Sequence, residues 1–446
     1  MRYGEFCSLV LRGPFIARFH LFVSKMAQED FKFLLGEIQQ HISLRLILNH
    51  NVQNDDGVLF GVLKVVNAMY QVNEDRKLVG EEKFYNEVLA VRRQFPTDIQ
   101  RFYADKTNTL LAMPFIIPLE VKRRFLKTEA QQEMDISAVQ AMTQDLARGA
   151  QVTNTELVIE VHRDNILVDS LNQLMQASPA DLKKRLHVKF VGEEGLDHGG
   201  VSKEWFQLVT REIFKPDNSM FVYNEKTRVC WFNLASNALN DFKLIGTLFG
   251  LAIYNGVILD AKLPQVAYKK LLGRSVQMTD LEEVNPDMMH SLQYILDYKN
   301  DDIEETMGLV FQHTDEVDGH ARDVDLKPNG GSIPVTQENK GEFVSLMTDY
   351  ILNVSVAKQF ESFLTGFKMV FDSKLLGIFS AHELELLIAG SDVFDFHELE
   401  YATRYANGYT RDTPVVRWLW EIVHAYPIAM KKQFLFFATG SDRCPP

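Results

Sequence analysis

The apolar residues of this chain change period at Leu157, and that change divides what the chain can fold into. Upstream they recur at helical spacing. Phe31, Leu34, Leu35, Ile38 and Ile42 fall at i, i+3, i+4 positions; Asn54-Asp55-Asp56-Gly57 interrupts them, and Val58 to Tyr70 resumes the pattern. Phe84 to Phe95 reads as a further helix, with Phe84, Val88, Leu89 and Val91 apolar and Arg92 and Arg93 outward. Pro114-Phe115-Ile116-Ile117-Pro118 reads as a short extended element bounded by prolines. Leu119 to Met142 follows as a long helix whose solvated face carries Lys122, Arg123, Arg124, Glu129, Gln131, Gln132 and Glu133. At Leu157-Val158-Ile159-Glu160-Val161 the run turns apolar and β-branched, and His187 to Val191 alternates as a strand would. Residues 157–400 then mix short strands with helices, among them Lys203 to Phe214 and Asp241 to Tyr254; Val229-Cys230-Trp231-Phe232 reads as a short buried strand. The fold class is α+β, mainly helical. No repeat of fixed period appears, which disfavours a helical solenoid.

Length and charge narrow the function. A chain of 446 residues suggests two or three folding units. Its net charge of −13 argues against a general phosphate-backbone binder, so no nucleic-acid partner is expected. No apolar run reaches the roughly 18 residues of a membrane span, and no membrane partner is expected. Arg12, Pro14, Arg18 and His20 break up the apolar residues near the N-terminus, so no signal peptide is read there; Arg2, Arg12 and Arg18 resemble a transit peptide only faintly. Cys7, Cys230 and Cys444 are the only cysteines. They are far apart, which implies no disulfide framework and no paired metal ligands, and no cofactor motif appears. A reducing compartment, cytoplasm or nucleus, is the expectation.

One string carries a specific resemblance. Phe190-Val191-Gly192-Glu193-Glu194-Gly195-Leu196-Asp197-His198-Gly199-Gly200-Val201-Ser202-Lys203-Glu204-Trp205-Phe206 describes a strand, a glycine-rich turn and a helix start. A phosphate cradle is the obvious alternative, but the Walker spacing and its Lys-Ser/Thr ending are absent. The string resembles the signature of HECT-type ubiquitin ligases. Leu244 to Tyr254, Asn329 to Thr336, Glu383 to Ser391 and Tyr405-Ala406-Asn407-Gly408-Tyr409 are similar to later segments of the same family, in the same order. Pro114 to Met134 is similar to the segment that leads into the HECT domain in many members. The resemblance covers roughly residues 108–446; residues 1–107 form a helical region with no motif of assigned role.

The resemblance implies a layout: a helical lead-in over 108–156, an N-lobe over 157–404 with a conjugating-enzyme-binding subdomain at about 285–365, a hinge at 405–410 and the start of a C-lobe over 411–446. It implies a ubiquitin-protein transferase that takes ubiquitin from a conjugating enzyme as a cysteine thioester and passes it to a lysine of a protein substrate. The partners it implies are the conjugating enzyme, ubiquitin and substrates of unknown identity. It places Met288, Leu292, Met307, Leu309, Phe343 and Met347 at positions that form an apolar groove for the conjugating enzyme, and Asn407, Gly408 and Tyr409 in the hinge. Periodicity alone reads differently. Phe343 with Met347 and Met288 with Leu292 are i, i+4 pairs, which is equally the core face of two amphipathic helices. Asp315 to Asp325, with His313 and His320, reads as a solvated acidic loop that lacks the ligand order of an EF-hand.

The family's nucleophile lies in a Thr-Cys-Phe motif some tens of residues beyond a Gly-Ser-Asp-Arg-x-Pro string. Here that string is Gly440-Ser441-Asp442-Arg443-Cys444-Pro445, and no Thr-Cys-Phe occurs. Cys444 occupies the string's variable position and is not favoured as a nucleophile; Cys7 and Cys230 are weaker still. The expectation is that the C-lobe is truncated and that these residues form no ubiquitin thioester alone. The alternative function is a non-catalytic module that binds conjugating enzyme and competes with a complete ligase. Val415, Trp418, Leu419 and Ile422 make one apolar helical face, and Phe434 to Phe437 reads as a core segment. Protease sensitivity is expected after about residue 408.

Overall fold

A computed structural model describes residues 14–48, 57–91, 96–104, 109–147, 155–193, 199–215, 217–317, 319–391, 395–439 and 443. Two compact units divide the chain: residues 1–126 with 374–379, and residues 127–373 with 380–446.

The first unit is helical. The helices Gln28–Leu48 and Gly57–Arg76 bury Phe31, Leu35, Ile38, Ile42 and Leu46 from one and Leu59, Val62, Leu63, Val65, Val66 and Met69 from the other. Gln28–Leu48 thus realises the period seen in the sequence. Arg76 donates to the carbonyls of Ser24 and Met26 at 2.8 and 2.9 Å, fixing the turn before that helix. The helix expected over Phe84 to Phe95 does not form as one piece. Glu81–Phe84 is a 3-10 turn, Tyr85 is extended, and Val88–Val91 is a single helical turn; residues 92–95 lie outside the described residues. Asn86 is the cause. Its amide donates to Ile116 O at 2.8 Å, and its side chain donates to Gln39 Oε1 and Ser43 Oγ, both at 2.9 Å. An amide bonded to a distant carbonyl cannot also close a helical turn. Pro114–Ile116, expected to be extended, is likewise a 3-10 turn, and Phe115 stacks on Tyr70 at 5.4 Å.

The second unit is α+β and mainly helical. Strands β1 (Glu156–Val161) and β2 (Arg185–Phe190) pair in parallel, Leu157 opposite Leu186 and Val161 opposite Phe190. A parallel pair needs a crossover, and the helix Ile166–Gln176 supplies it. Every second residue of both strands is buried. After β2 comes α1 (Gly200–Ile213), followed by the antiparallel pair β3 (Phe221–Asn224) and β4 (Val229–Phe232).

The spine of this unit is α2 (Leu239–Asn255), buried continuously from Leu244 to Tyr254. Its partner is the helix Ala357–Val370. Two glycines let them touch. A Cβ on Gly246 would sit 1.8 Å from Phe363 O, and one on Gly366 would sit 1.8 Å from Lys243 O. Only glycine permits backbones that close. Phe249 and Phe232 flank this crossing, edge-on to Phe363 at 5.2 and 5.6 Å. The stretch between the two helices returns to the crossing at Ala357.

Candidate functional site

The expected docking residues begin on α3 (Pro286–Asp297). Asn285 caps it, its side-chain oxygen accepting from Met288 N at 3.1 Å, and Pro286 stands at the first turn. A short helix, Ile303–Met307, follows. Next comes a hairpin of β5 (Gln312–Val317) and β6 (His320–Asp325), then α4 (Lys340–Asp349), which runs into a π turn at Tyr350–Val354. Lys340 ties α4 to the end of α3 by donating to Leu296 O at 2.8 Å and Tyr298 O at 2.5 Å. A cation at those orphan carbonyls also suits the negative end of the helix dipole.

Three of the six residues expected to line a docking groove are core. Leu292, Phe343 and Met347 are 1%, 3% and 4% exposed. The Phe343 ring stands edge-on to Phe311 at 5.5 Å, and Lys327 Nζ covers the other ring at 3.7 Å. The periodicity that set these residues on one face therefore marks, for them, the face α3 and α4 turn toward the subdomain interior. Met288, Met307 and Leu309 are half-buried and open to solvent in part. Leu309 is held in place because its carbonyl accepts from Val335 N at 2.9 Å.

The sequence reading missed Tyr294, which is 63% exposed on α3. Its ring lies 6.1 Å from Tyr298, whose hydroxyl donates to Asp302 Oδ1 at 2.7 Å and lies 3.4 Å from Thr306 Oγ1, next to Met307. The signal was present as a large aromatic out of phase with the core positions of its helix. Asp297, Asp301, Asp302, Glu304 and Glu305 beside it are exposed, with Lys299 among them. Residues 288–309 thus combine partly exposed apolar side chains with exposed, mostly acidic ones.

Residues 312–325 are a hairpin rather than a solvated loop. Asp315 faces inward from β5 and is buried. The Tyr350 hydroxyl donates to it, Arg322 reaches it at 3.2 Å and His313 Nε2 lies 3.6 Å away. Burial and the Asp315 carboxylate together push the Tyr350 phenol up to about 12. A buried carboxylate with three partners locks the hairpin onto the end of α4. His320, at the start of β6, is exposed; residue 318 lies outside the described residues.

The glycine-rich string has a structural role in its described parts. Phe190 ends β2, and Arg163 lies over its ring at 4.2 Å while pairing with Glu193 and Glu204. Those two carboxylates hold the Arg163 guanidinium above its ordinary value. Trp205, buried on α1, donates to Ser170 Oγ at 2.9 Å. Residues 194–198 lie outside the described residues.

The residues expected in the hinge lie on the connection between two helices of one small cluster. α5 (Phe396–Ala402), α6 (Pro414–Ala425) and α7 (Ile428–Thr439) share one core of Phe396, Val416, Trp420, Val423 and Leu435, with Leu399, Tyr405, Tyr426 and Phe434 packed on it. Asn407, Gly408 and Tyr409 sit in a turn between α5 and α6, with Asn407 at φ 54 and Gly408 at φ 83. Trp420 Nε1 donates to Tyr405 Oη at 2.8 Å, and Thr410 N donates to Thr413 Oγ1 at 2.9 Å. Both flanks of the turn pack in the same core, which begins ahead of it at Phe396. The apolar face of α6 is exposed at Val415, Trp418, Leu419 and Ile422. Phe434 to Phe437 is mixed, for Leu435 is buried whereas Phe437 is 90% exposed.

Cys230 is buried in β4, and burial pushes its thiol up to about 11. A thiol held protonated in an apolar interior is a poor nucleophile. Cys7 and Cys444, with residues 440–442, 445 and 446, lie outside the described residues. Arg443 is described: its guanidinium donates to Ala389 O at 3.1 Å and pairs with Asp260 at 3.5 Å. Among the described residues, no helix is long and apolar enough to cross a membrane.

Comparison with known proteins finds relatives over most of the chain. Residues 207–446 match the family described as HECT-domain (ubiquitin-transferase). The chain is 37% identical over 409 residues to "Probable E3 ubiquitin-protein ligase HERC4" of Rattus norvegicus, covering 87% of this chain and 39% of that protein. It is 34% identical over 450 residues to "Probable E3 ubiquitin-protein ligase HECTD2" of Mus musculus, covering 95% of this chain and 58% of that protein. With "Probable E3 ubiquitin-protein ligase HUL4" of Eremothecium gossypii it shares 37% identity over 361 residues, 77% of this chain and 43% of that protein. The chain therefore spans from about two fifths to under three fifths of the length of these relatives.

Proposed function

The chain belongs to the HECT-domain ubiquitin-transferase family, and from that premise we propose that its inserted subdomain receives a ubiquitin-conjugating enzyme. In the same reading, the protein to which these residues belong passes ubiquitin from that enzyme to lysines of protein substrates. The observation that carries the proposal is exposure: Met288, Tyr294, Met307 and Leu309 offer partly exposed apolar area, and Asp297, Asp301, Asp302, Glu304 and Glu305, close to them in sequence, are exposed acids. Partly exposed Met and Tyr suit an adaptable docking surface, and exposed charge of one sign selects a partner of the other. Leu292, Phe343 and Met347 are buried and belong to the packing rather than to this surface.

The chemistry of acceptance asks for a thiolate. Passing ubiquitin from one thioester to another breaks one C–S bond as it forms the next, so a thiol serves as both attacker and leaving group. Cys230 does not fill that role, being buried with its thiol pushed up. The contribution proposed for the subdomain is therefore reception of the charged enzyme. Titration of the 446-residue chain with a conjugating enzyme tests this: saturable binding that weakens in Tyr294→Ala is the expected result. Equal binding by wild type and by a variant with Met288, Tyr294 and Met307 all changed to Ala would remove the docking surface from the account.

A further inference from the structure

Two histidines and a glutamate come together where α5 meets α6. His397 and Glu400 are one helical turn apart on α5, and His424 comes from α6. His424 Nε2 lies 2.7 Å from Glu400 Oε2. The His397 and His424 rings stack at 4.0 Å, tilted by only 16°. A ligand atom of each of the three residues lies within 4.8 Å of the other two. The geometry points to a binding site for a divalent transition-metal ion of the zinc type, held by His397, Glu400 and His424. Neither the docking surface nor the ubiquitin chemistry uses these side chains, so the site is independent of the proposed function.

The donor set fits that chemistry. Two imidazoles and a carboxylate suit a borderline ion such as Zn²⁺ or Co²⁺, and three protein ligands leave a fourth position for water. An ion about 2.1 Å from each donor, in tetrahedral geometry, needs donor separations of about 3.4 Å. The His424–Glu400 pair, at 2.7 Å, would open by less than an ångström to meet this, and the His397 ring, exposed to solvent, would turn out of its stack on His424.

The surrounding charges have separate tasks. Arg411 approaches the other carboxylate oxygen, Oε1, at 3.7 Å and is largely exposed, leaving Oε2 for the ion. Asp395 is engaged by the backbone amides of His397 and Glu398 at 2.8 and 3.1 Å, and it adds negative potential without coordinating. An ion here would bridge the ends of the 403–413 connection and fix α5 against α6.

The test uses the whole metal-free chain and Zn²⁺ alone, followed by calorimetry, with Co²⁺ as a spectroscopic reporter. One ion per chain at micromolar affinity is expected. Affinity should fall at least about tenfold in both His397→Ala and Glu400→Gln. The Co²⁺ spectrum should show visible d–d bands without the near-ultraviolet charge transfer of a thiolate. His397→Ala is the decisive variant, because that side chain is exposed and its loss leaves the His424–Glu400 hydrogen bond in place. Circular dichroism matching wild type will show that the variant is folded. Absence of saturable binding, unchanged affinity in folded His397→Ala, or a thiolate spectrum would each overturn the site.

Discussion

Phe343 separates a packed position from a docking position, and its replacement can be worked through from the structure. The ring is buried, edge-on to Phe311, beside buried Val344 and Met347 on α4. Truncating such a ring removes its burial and leaves a cavity, at a cost of about 3–5 kcal/mol. All four tryptophans lie outside the subdomain, at positions 205, 231, 418 and 420, so their fluorescence is blind to the loss. Amide hydrogen exchange over residues 340–349 is the suitable assay. At about 1.4 kcal/mol per power of ten, Phe343→Ala should speed exchange there by roughly a hundredfold or more wherever it proceeds by subdomain opening. Tyr294→Ala, which truncates an exposed ring, should change stability by no more than about 0.5 kcal/mol. If Phe343→Ala left α4 exchange unchanged yet abolished binding of a conjugating enzyme, Phe343 would be a surface contact and the packing described here would be wrong.

Other consequences follow from separate features. Gly246→Ala forces a Cβ to 1.8 Å from Phe363 O; parting the two backbones should cost at least about 1–3 kcal/mol, read as a lowered urea midpoint by tryptophan fluorescence. Tyr405→Phe removes the oxygen that accepts from Trp420 Nε1 and should cost about 1 kcal/mol or somewhat more, with a shift in tryptophan emission. Lys270 lies over Phe360 at 4.3 Å and donates to Leu352 O, and burial lowers its ammonium to about 8. The folded state then binds fewer protons than the unfolded state between about pH 8 and the ordinary lysine value, so this group makes stability rise with pH across that window. Lys270→Met should flatten that rise in urea titrations at several pH values.

Much of the second unit was legible in the sequence because its signals are local. β1, β2 and β4 follow β-branched or alternating runs, and α2 follows one continuous apolar stretch. What escaped was set by contacts distant in sequence. Asn86 bonds to Ile116 and Gln39 and so breaks a helix that its neighbours favour. Asp315 looked like one more acid in a charged loop, because Arg322 and Tyr350 reach it only once the hairpin has formed. The docking residues were legible as a face but not as a side, since an i, i+4 apolar pair looks the same pointing inward or outward. The His397–Glu400 spacing was visible as one helical turn, but His424 joins it only through the packing of α5 on α6.

The most direct test of the central claim is the affinity of the 446-residue chain for a ubiquitin-conjugating enzyme, measured at low and high salt with wild type and Tyr294→Ala side by side. Saturable wild-type binding should weaken as salt screens the exposed acids, and a folded Tyr294→Ala chain should bind more weakly. Absence of saturable binding by folded wild-type chain at low salt would contradict that claim.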